Sequence, residues 1–411
     1  MQPQPGQITC PGFAASKIFG RSLLNSEKRL IEVRNLAETR QTSRAPKKRW
    51  GESPWTIDFH PSPRLLPEQV DFAIVGGGFT GLATAAWLRH LAPNKTVSVF
   101  EAEHIGAGAS GYTGGMVLAE TSAGDLPGLG DVLNGFSRTV SELNVECNLD
   151  LRGVWEIGRS HALKNSPIAW SDSGTLRAVA EVPGGTADPG KLVSGLARAA
   201  YRLGAHIHED TRIDDISFQN RLCLTVGTKQ ICAENALIAT NAMSLELSGL
   251  AGRAEPKFTL AVATKPLKPA QLEVLGLSSG KAFYTVDLPY LWGRMMPNGG
   301  VLFGGGLVDV ENWRELEEID IGAGRAAELI ARLEWRVRGL DPALNSVDFT
   351  HWWGGPILIA EDWTPIFTRH QQSDRVIVLG AYAGQGVALS VYLGRWAAEA
   401  MLGLRQLPNW G

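Results

Sequence analysis

Short apolar stretches alternate with small-residue, helix-like stretches through most of this chain, and their order predicts a mixed α/β protein. Residues 70–75, Val-Asp-Phe-Ala-Ile-Val, are apolar and β-branched, the pattern of a buried parallel strand. Beyond three glycines, residues 82–88 are rich in Ala and Leu and read as a helix that breaks at Pro93-Asn94. Residues 96–100 form a second strand, completing a βαβ unit. A helix starts near Ala187-Asp188-Pro189 and runs through Tyr201, with Pro and Asp where helix starts prefer them. Strands are expected at 206–209, 236–242 and 375–380, with a last helix over 387–402. Between these lie short runs at 153–157, 258–263, 282–286 and 300–304, divided by turn residues and followed by a helix near 323–338. Such runs suit a mainly antiparallel sheet.

At 411 residues the chain has room for two or three domains and a large core. Its 44% hydrophobic and 20% charged residues are those of an ordinary globular protein. A net charge of -3 supplies no global field for nucleic acid or an anionic membrane. Residues 1–50 nevertheless hold ten Lys or Arg against three Glu, leaving 29 basic and 39 acidic groups in the rest. Residues 1–60 are read as a basic, poorly ordered extension. Cys10, Cys147, Cys223 and Cys232 have no metal-binding spacing, so no metal is expected; they read as single buried thiols in a reducing, cytoplasmic setting. The longest apolar run, 72–88, is short for a membrane span and holds four glycines, and the opening lacks a signal-peptide stretch. A soluble chain with no membrane partner is expected.

The chemistry concentrates after residue 70. Gly76-Gly77-Gly78-Phe79-Thr80-Gly81 is a GxGxxG placed between strand and helix, with Glu101 lying 20 residues past its last glycine. Gly76 permits the tight turn, Gly78 lets a pyrophosphate approach the backbone, and Gly81 allows close helix–strand packing. Phe79 and Thr80 open a helix whose free N–H groups and dipole favour an anion. Glu101 can accept both ribose hydroxyls and repels a 2′-phosphate, which argues against NADP. A dinucleotide is the predicted ligand. The βαβ unit alone does not separate NAD from FAD.

Residues 105–116, Ile-Gly-Ala-Gly-Ala-Ser-Gly-Tyr-Thr-Gly-Gly-Met, add a second small-residue loop suited to a backbone lying beside a flat ligand. Here the chain resembles the FAD-dependent amine and amino-acid oxidase family, which includes D-amino-acid, glycine, sarcosine and γ-glutamylputrescine oxidases. Tyr112 and Thr113 stand where the γ-glutamylputrescine branch usually has Arg and Asn. The resemblance spans nearly all of residues 70–405. It implies a noncovalent FAD held by Gly76, Gly78, Phe79, Thr80, Gly81, Glu101, Ala102, Ser110, Gly114, Gly115, Met116, Ile213, Thr240, Gly384, Gln385, Gly386, Val387 and Ala388. Gln385 stands where family members often carry His, so no cation is available there. The implied fold is an α/β FAD-binding domain of Rossmann type, a parallel sheet with helices, over 68–150, 184–250 and 346–411. A smaller substrate domain on a mainly antiparallel sheet takes 151–183 and 251–345.

The implied activity is oxidation of the C–N bond of a small-molecule amine or amino acid: hydride to flavin N5, hydrolysis of the imine, and electrons to O2 giving H2O2. Arg294 is the candidate ligand for a substrate carboxylate, because its fork matches two oxygens; a structural ion pair is the other reading. Tyr382 and Trp353, with Trp352, are candidates for lining the reaction site, against plain aromatic packing. Sarcosine oxidases use a lysine, in reaction with oxygen, on the strand matching 301–303, and this chain has none there; Lys265 is a substitute to be weighed. Alternatives are a flavoprotein dehydrogenase with another electron acceptor and a noncatalytic FAD-binding assembly factor. A nucleic-acid substrate is disfavoured by the acidic balance beyond residue 50. The 13 Trp hint at an aromatic-walled pocket.

Overall fold

The computed structural model describes residues 49–219 and 221–410, and two eight-stranded sheets organise it. The run expected at 70–75 is the strand Gln69–Val75. It pairs in parallel with Val97–Phe100 on one side and Lys229–Ile238 on the other. His206–His208 and Ser373–Gly380 continue the parallel order outward, and Ile366–His370 closes one edge antiparallel. Alternate residues of these strands face opposite layers. Phe72, Ile74, Val97, Val99, Leu237, Ile377 and Leu379 pack beneath the helices Phe79–Leu91, Pro189–Arg202 and Gly386–Met401. The first and last of these helices touch closely: a Cβ at Gly394 would lie 2.9 Å from Ala83 Cβ, and Thr84 Oγ1 donates to Gly394 O at 3.0 Å. Pro189–Arg202 begins as expected, with Asp188 accepting from Lys191 N at 3.0 Å.

The second sheet runs Phe349–Ala360, Ala254–Thr264, Val301–Asp309, Trp292–Met295, Ala282–Thr285, Val154–Gly158, Thr175–Val182 and Ala169–Ser171. All neighbours are antiparallel except Ala282–Thr285 with Val154–Gly158, which are parallel. Phe258, Leu260, Val262 and Phe303 pack in one core with Ile330, Leu333 and Val337 of the helix Gly324–Leu340.

Three expectations change. Residues 346–411, assigned to the FAD-binding domain, have as their first strand Phe349–Ala360, which pairs along Ala254–Thr264 of the antiparallel sheet through eleven residue pairs. The basic extension, drawn to residue 60, gives way by Arg49 to packed chain: Trp50 is 1% exposed and its Nε1 donates to Leu316 O at 2.7 Å. Residues 1–48 and Cys10 lie outside the described residues. The thiols are not all single. Cys223 and Cys232 oppose each other across the hairpin of Leu222–Val226 with Lys229–Ile238 and form a disulfide. Their nine-residue separation hides a cross-strand pair, so the reducing setting inferred from lone thiols loses its support. Cys147 is free and buried, its thiol pushed up to about 12 by burial. Among the described residues no helix is long and apolar enough to cross a membrane.

Candidate functional site

Gln69–Val75 has Val97–Phe100 on one side and Lys229–Ile238 on the other, the strand order in which such sheets bind ligands at the carboxyl ends of their strands. Gly76 turns the chain there with φ +111°, and a Cβ would lie 2.6 Å from Ala239 O. Gly81 brings the helix so close that its Cβ would sit 2.0 Å from Gly76 O. Gly78 differs: beyond its chain neighbours, a Cβ would meet only the Ser110 side chain within 4 Å, its Oγ at 2.8 Å. Ser110 Oγ also accepts from Phe79 N at 3.0 Å, capping the helix Phe79–Leu91 from outside.

Glu101 sits at the end of the second strand. Its Oε2 accepts from Gly77 N at 2.7 Å and its Oε1 from Glu103 N at 3.0 Å, while burial pushes its carboxyl up. Each oxygen keeps a lone pair for a further donor, such as a ribose hydroxyl. Thr211 N donates to Glu101 O at 2.7 Å and so brings the segment ending in buried Ile213 alongside; Ala102 is exposed next to it. On the other lip of the sheet, buried Thr240 Oγ1 has no partner among the described residues, and neither has Gln385 Oε1 at the N-cap of Gly386–Met401. Gly384 and Gly108 border open space. Val387 and Ala388 are buried in the first turn beyond Gly386. Buried polar atoms are rarely left unpaired. These orphans, with the open faces at Gly108 and Gly384 and a Gly78 bounded by the Ser110 side chain alone, fit an extended dinucleotide such as FAD.

The second sheet turns one face to the 112–115 loop. Trp292 packs on Gly114, where a Cβ would fall 2.1 Å from its ring; Met116 opens a short strand paired with Thr186. Arg294, two residues on and so on the same face, is 3% exposed. Its Nη1 donates to Ala187 O at 3.0 Å and to Gly115 O at 3.5 Å, and its Nε has no partner among the described residues. It has no carboxylate partner among the described residues. Burial pulls its ordinary value down to about 10, with only the charge of Asp188 opposing that shift. A guanidinium in this state lacks an anion. Trp353 joins Ala261, Ala263, Met296 and Leu302 in a small cluster on the same face, and its Nε1 donates to Tyr112 O at 2.9 Å.

Tyr382 lies elsewhere. Its hydroxyl shares a 2.7 Å bond with Thr80 Oγ1, and its ring packs under Gly386. Burial raises its phenol further. The structure therefore brings Arg294 and Trp353 to one face and puts Tyr382 between the two glycine turns, where its polar atom is already bonded. Of the three, Arg294 has a buried polar atom with no partner among the described residues. Sequence reasoning missed Trp55 and Trp292. Trp55 lay in the stretch set aside as an extension, and the Trp count was its only signal.

The comparisons follow this geometry. A family model described as DAO, FAD dependent oxidoreductase, matches residues 71–400. A probable oxidoreductase OrdL of Rhizobium meliloti is 28% identical over 89% of this chain and 90% of its own length. The γ-glutamylputrescine oxidoreductase of Escherichia coli is 25% identical over 81% of this chain and 84% of its own. Among solved structures, L-proline dehydrogenase from P. horikoshii superposes with a TM-score of 0.67 at 18% identity, covering 84% of this chain and 96% of that one. At that identity the likeness is one of fold.

Proposed function

Because the chain belongs to the DAO family of FAD-dependent oxidoreductases, which act on amines or amino acids, we propose that its own substrate is an amine bearing a carboxylate, oxidised at the C–N bond. The carrying observation is Arg294, a buried guanidinium with an unpaired Nε and no neutralising carboxylate among the described residues. When bound, FAD supplies the two-electron acceptor, so that the substrate C–H leaves as hydride, the C–N bond becomes C=N, and water hydrolyses the imine.

The chain's residues bind and orient. Gly76, Gly78 and Gly81, with the amides opening Phe79–Leu91, receive the pyrophosphate, and Glu101 the ribose. Arg294 holds the carboxylate, fixing which C–H is presented. Trp353 and its apolar neighbours keep water from that face. Tyr382 is a positioning residue, tying Thr80 in the pyrophosphate helix to the turn before Gln385. We assign the parallel sheet to a FAD-binding domain and the antiparallel sheet to a substrate domain, with FAD held noncovalently.

Electrons passing to O2 with release of H2O2 are the first reading. One observation favours a dehydrogenase with another acceptor instead: Lys265 Nζ pairs with Asp348 at 2.9 Å on the surface, with 60% of its side chain exposed. It therefore does not replace the lysine missing near 301–303. The test mixes FAD-loaded protein without air with amines, N-methyl amino acids, and D- and L-amino acids, following the flavin absorbance. Bleaching by carboxylate-bearing amines alone is expected, and recolouring in air separates oxidase from dehydrogenase. Bleaching by none of them, while dithionite bleaches, would favour the noncatalytic assembly factor.

A further inference from the structure

Residues 49–58 form an extended strap that touches both sheets' elements. Toward the antiparallel sheet, Glu52 N donates to Trp352 O at 3.1 Å and Gly354 N to Trp50 O at 3.0 Å. Toward the nucleotide side, Arg49 pairs with Glu103 at 2.8 Å, Ser53 Oγ donates to Gly111 O at 3.0 Å, and Asp58 N donates to Ser194 Oγ at 2.9 Å. Between these anchors lies Trp55. Its Nε1 donates to Thr113 O at 2.8 Å, and its ring lies 4.9 Å from Arg294 Cζ.

Two carbonyls orient Arg294 at one end of its fork without neutralising it. An aromatic face offers a guanidinium attraction that costs it no donor, so the fork stays free for two carboxylate oxygens. A carboxylate side chain at position 55 would occupy that fork; an aliphatic one would leave the two carbonyls as the guanidinium's remaining support.

We propose that Trp55 is a specificity-determining positioning residue: the strap lays its ring on Arg294 and thereby fixes the guanidinium for a substrate carboxylate. The inference rests on the reading of Arg294 as carboxylate ligand. It makes the preference for carboxylate-bearing amines depend on a segment far in sequence from the sheet that carries the arginine.

The test titrates oxidised, FAD-loaded enzyme with anthranilate and with aniline, the same ring without the carboxylate, and follows the flavin spectrum. Wild type is expected to prefer anthranilate, and Arg294→Met to lose that preference. Trp55→Leu should weaken anthranilate about three- to tenfold while leaving aniline within about twofold. Trp55→Phe, which keeps a ring but loses the bond to Thr113, should recover most of the preference. If the Leu variant fails to load FAD, Trp55→Met carries the same test. A Leu or Met variant that weakens both ligands equally, or neither, overturns the proposal, as does a Phe variant no better than Leu. If Arg294→Met keeps the anthranilate preference, the arginine reading falls and the proposal with it. If Arg294→Met loses the preference and Trp55→Leu does not, the proposal alone falls.

Discussion

A buried cation without its anion leaves a measurable trace in stability. Arg294 is held charged at neutral pH although burial lowers its value to about 10. Its ionised form is therefore less favourable folded than unfolded, and that penalty is present below pH 10 and fades as pH rises from about 10 toward the ordinary arginine range. Arg294→Met is expected to raise the urea midpoint at pH 7, by about 1–2 kcal/mol in stability, while removing carboxylate binding. Carboxylate affinity of the wild type should hold through neutral pH and fall as pH passes about 10. A midpoint that drops in the Met variant would mean that the arginine's bonds to Ala187 and Gly115 outweigh its burial cost.

Elements built from near neighbours were legible in the sequence; those built from distant ones were not. The strand–glycine–helix–strand unit appears close to its expected bounds because its register is set within about thirty residues, and Gly76 and Gly81 are glycine for the reasons of turn and close approach anticipated. The two positions beside them separate cofactor from fold. Gly78→Val pushes only on Ser110, so a folded protein without flavin is expected. Gly81→Val drives Cβ into Gly76 O and should cost more than about 3 kcal/mol, showing as loss of soluble protein. A flavin-loaded Gly78→Val protein would remove the pyrophosphate from this loop. The pairing of Phe349–Ala360 was not legible because its Trp-Trp-Gly-Gly core says nothing of its partner, Ala254–Thr264, some ninety residues earlier. Tyr382, expected at the reaction site, bonds Thr80 across 302 residues, and no local pattern records that contact.

At the scale of the whole molecule, the strap and the 105–116 loop share their hydrogen bonds, so ordering one should order the other. Amide exchange at 49–58 and at 105–116 is expected to slow together when FAD is added to apoprotein; slowing confined to the loop would show the strap to be independent. The closing helix Gly386–Met401 has a different consequence, one of timing. It begins after Gln385 and packs through Gly394 against the helix that follows Gly78, so the two glycine turns belong to an early and a late part of the described chain. During synthesis the first βαβ unit leaves the ribosome some three hundred residues before the closing helix exists. At about 5–20 residues per second that is a wait of roughly 15–60 seconds. A chain cut short before residue 386 would have made every described strand and still lack the helix that packs against Phe79–Leu91.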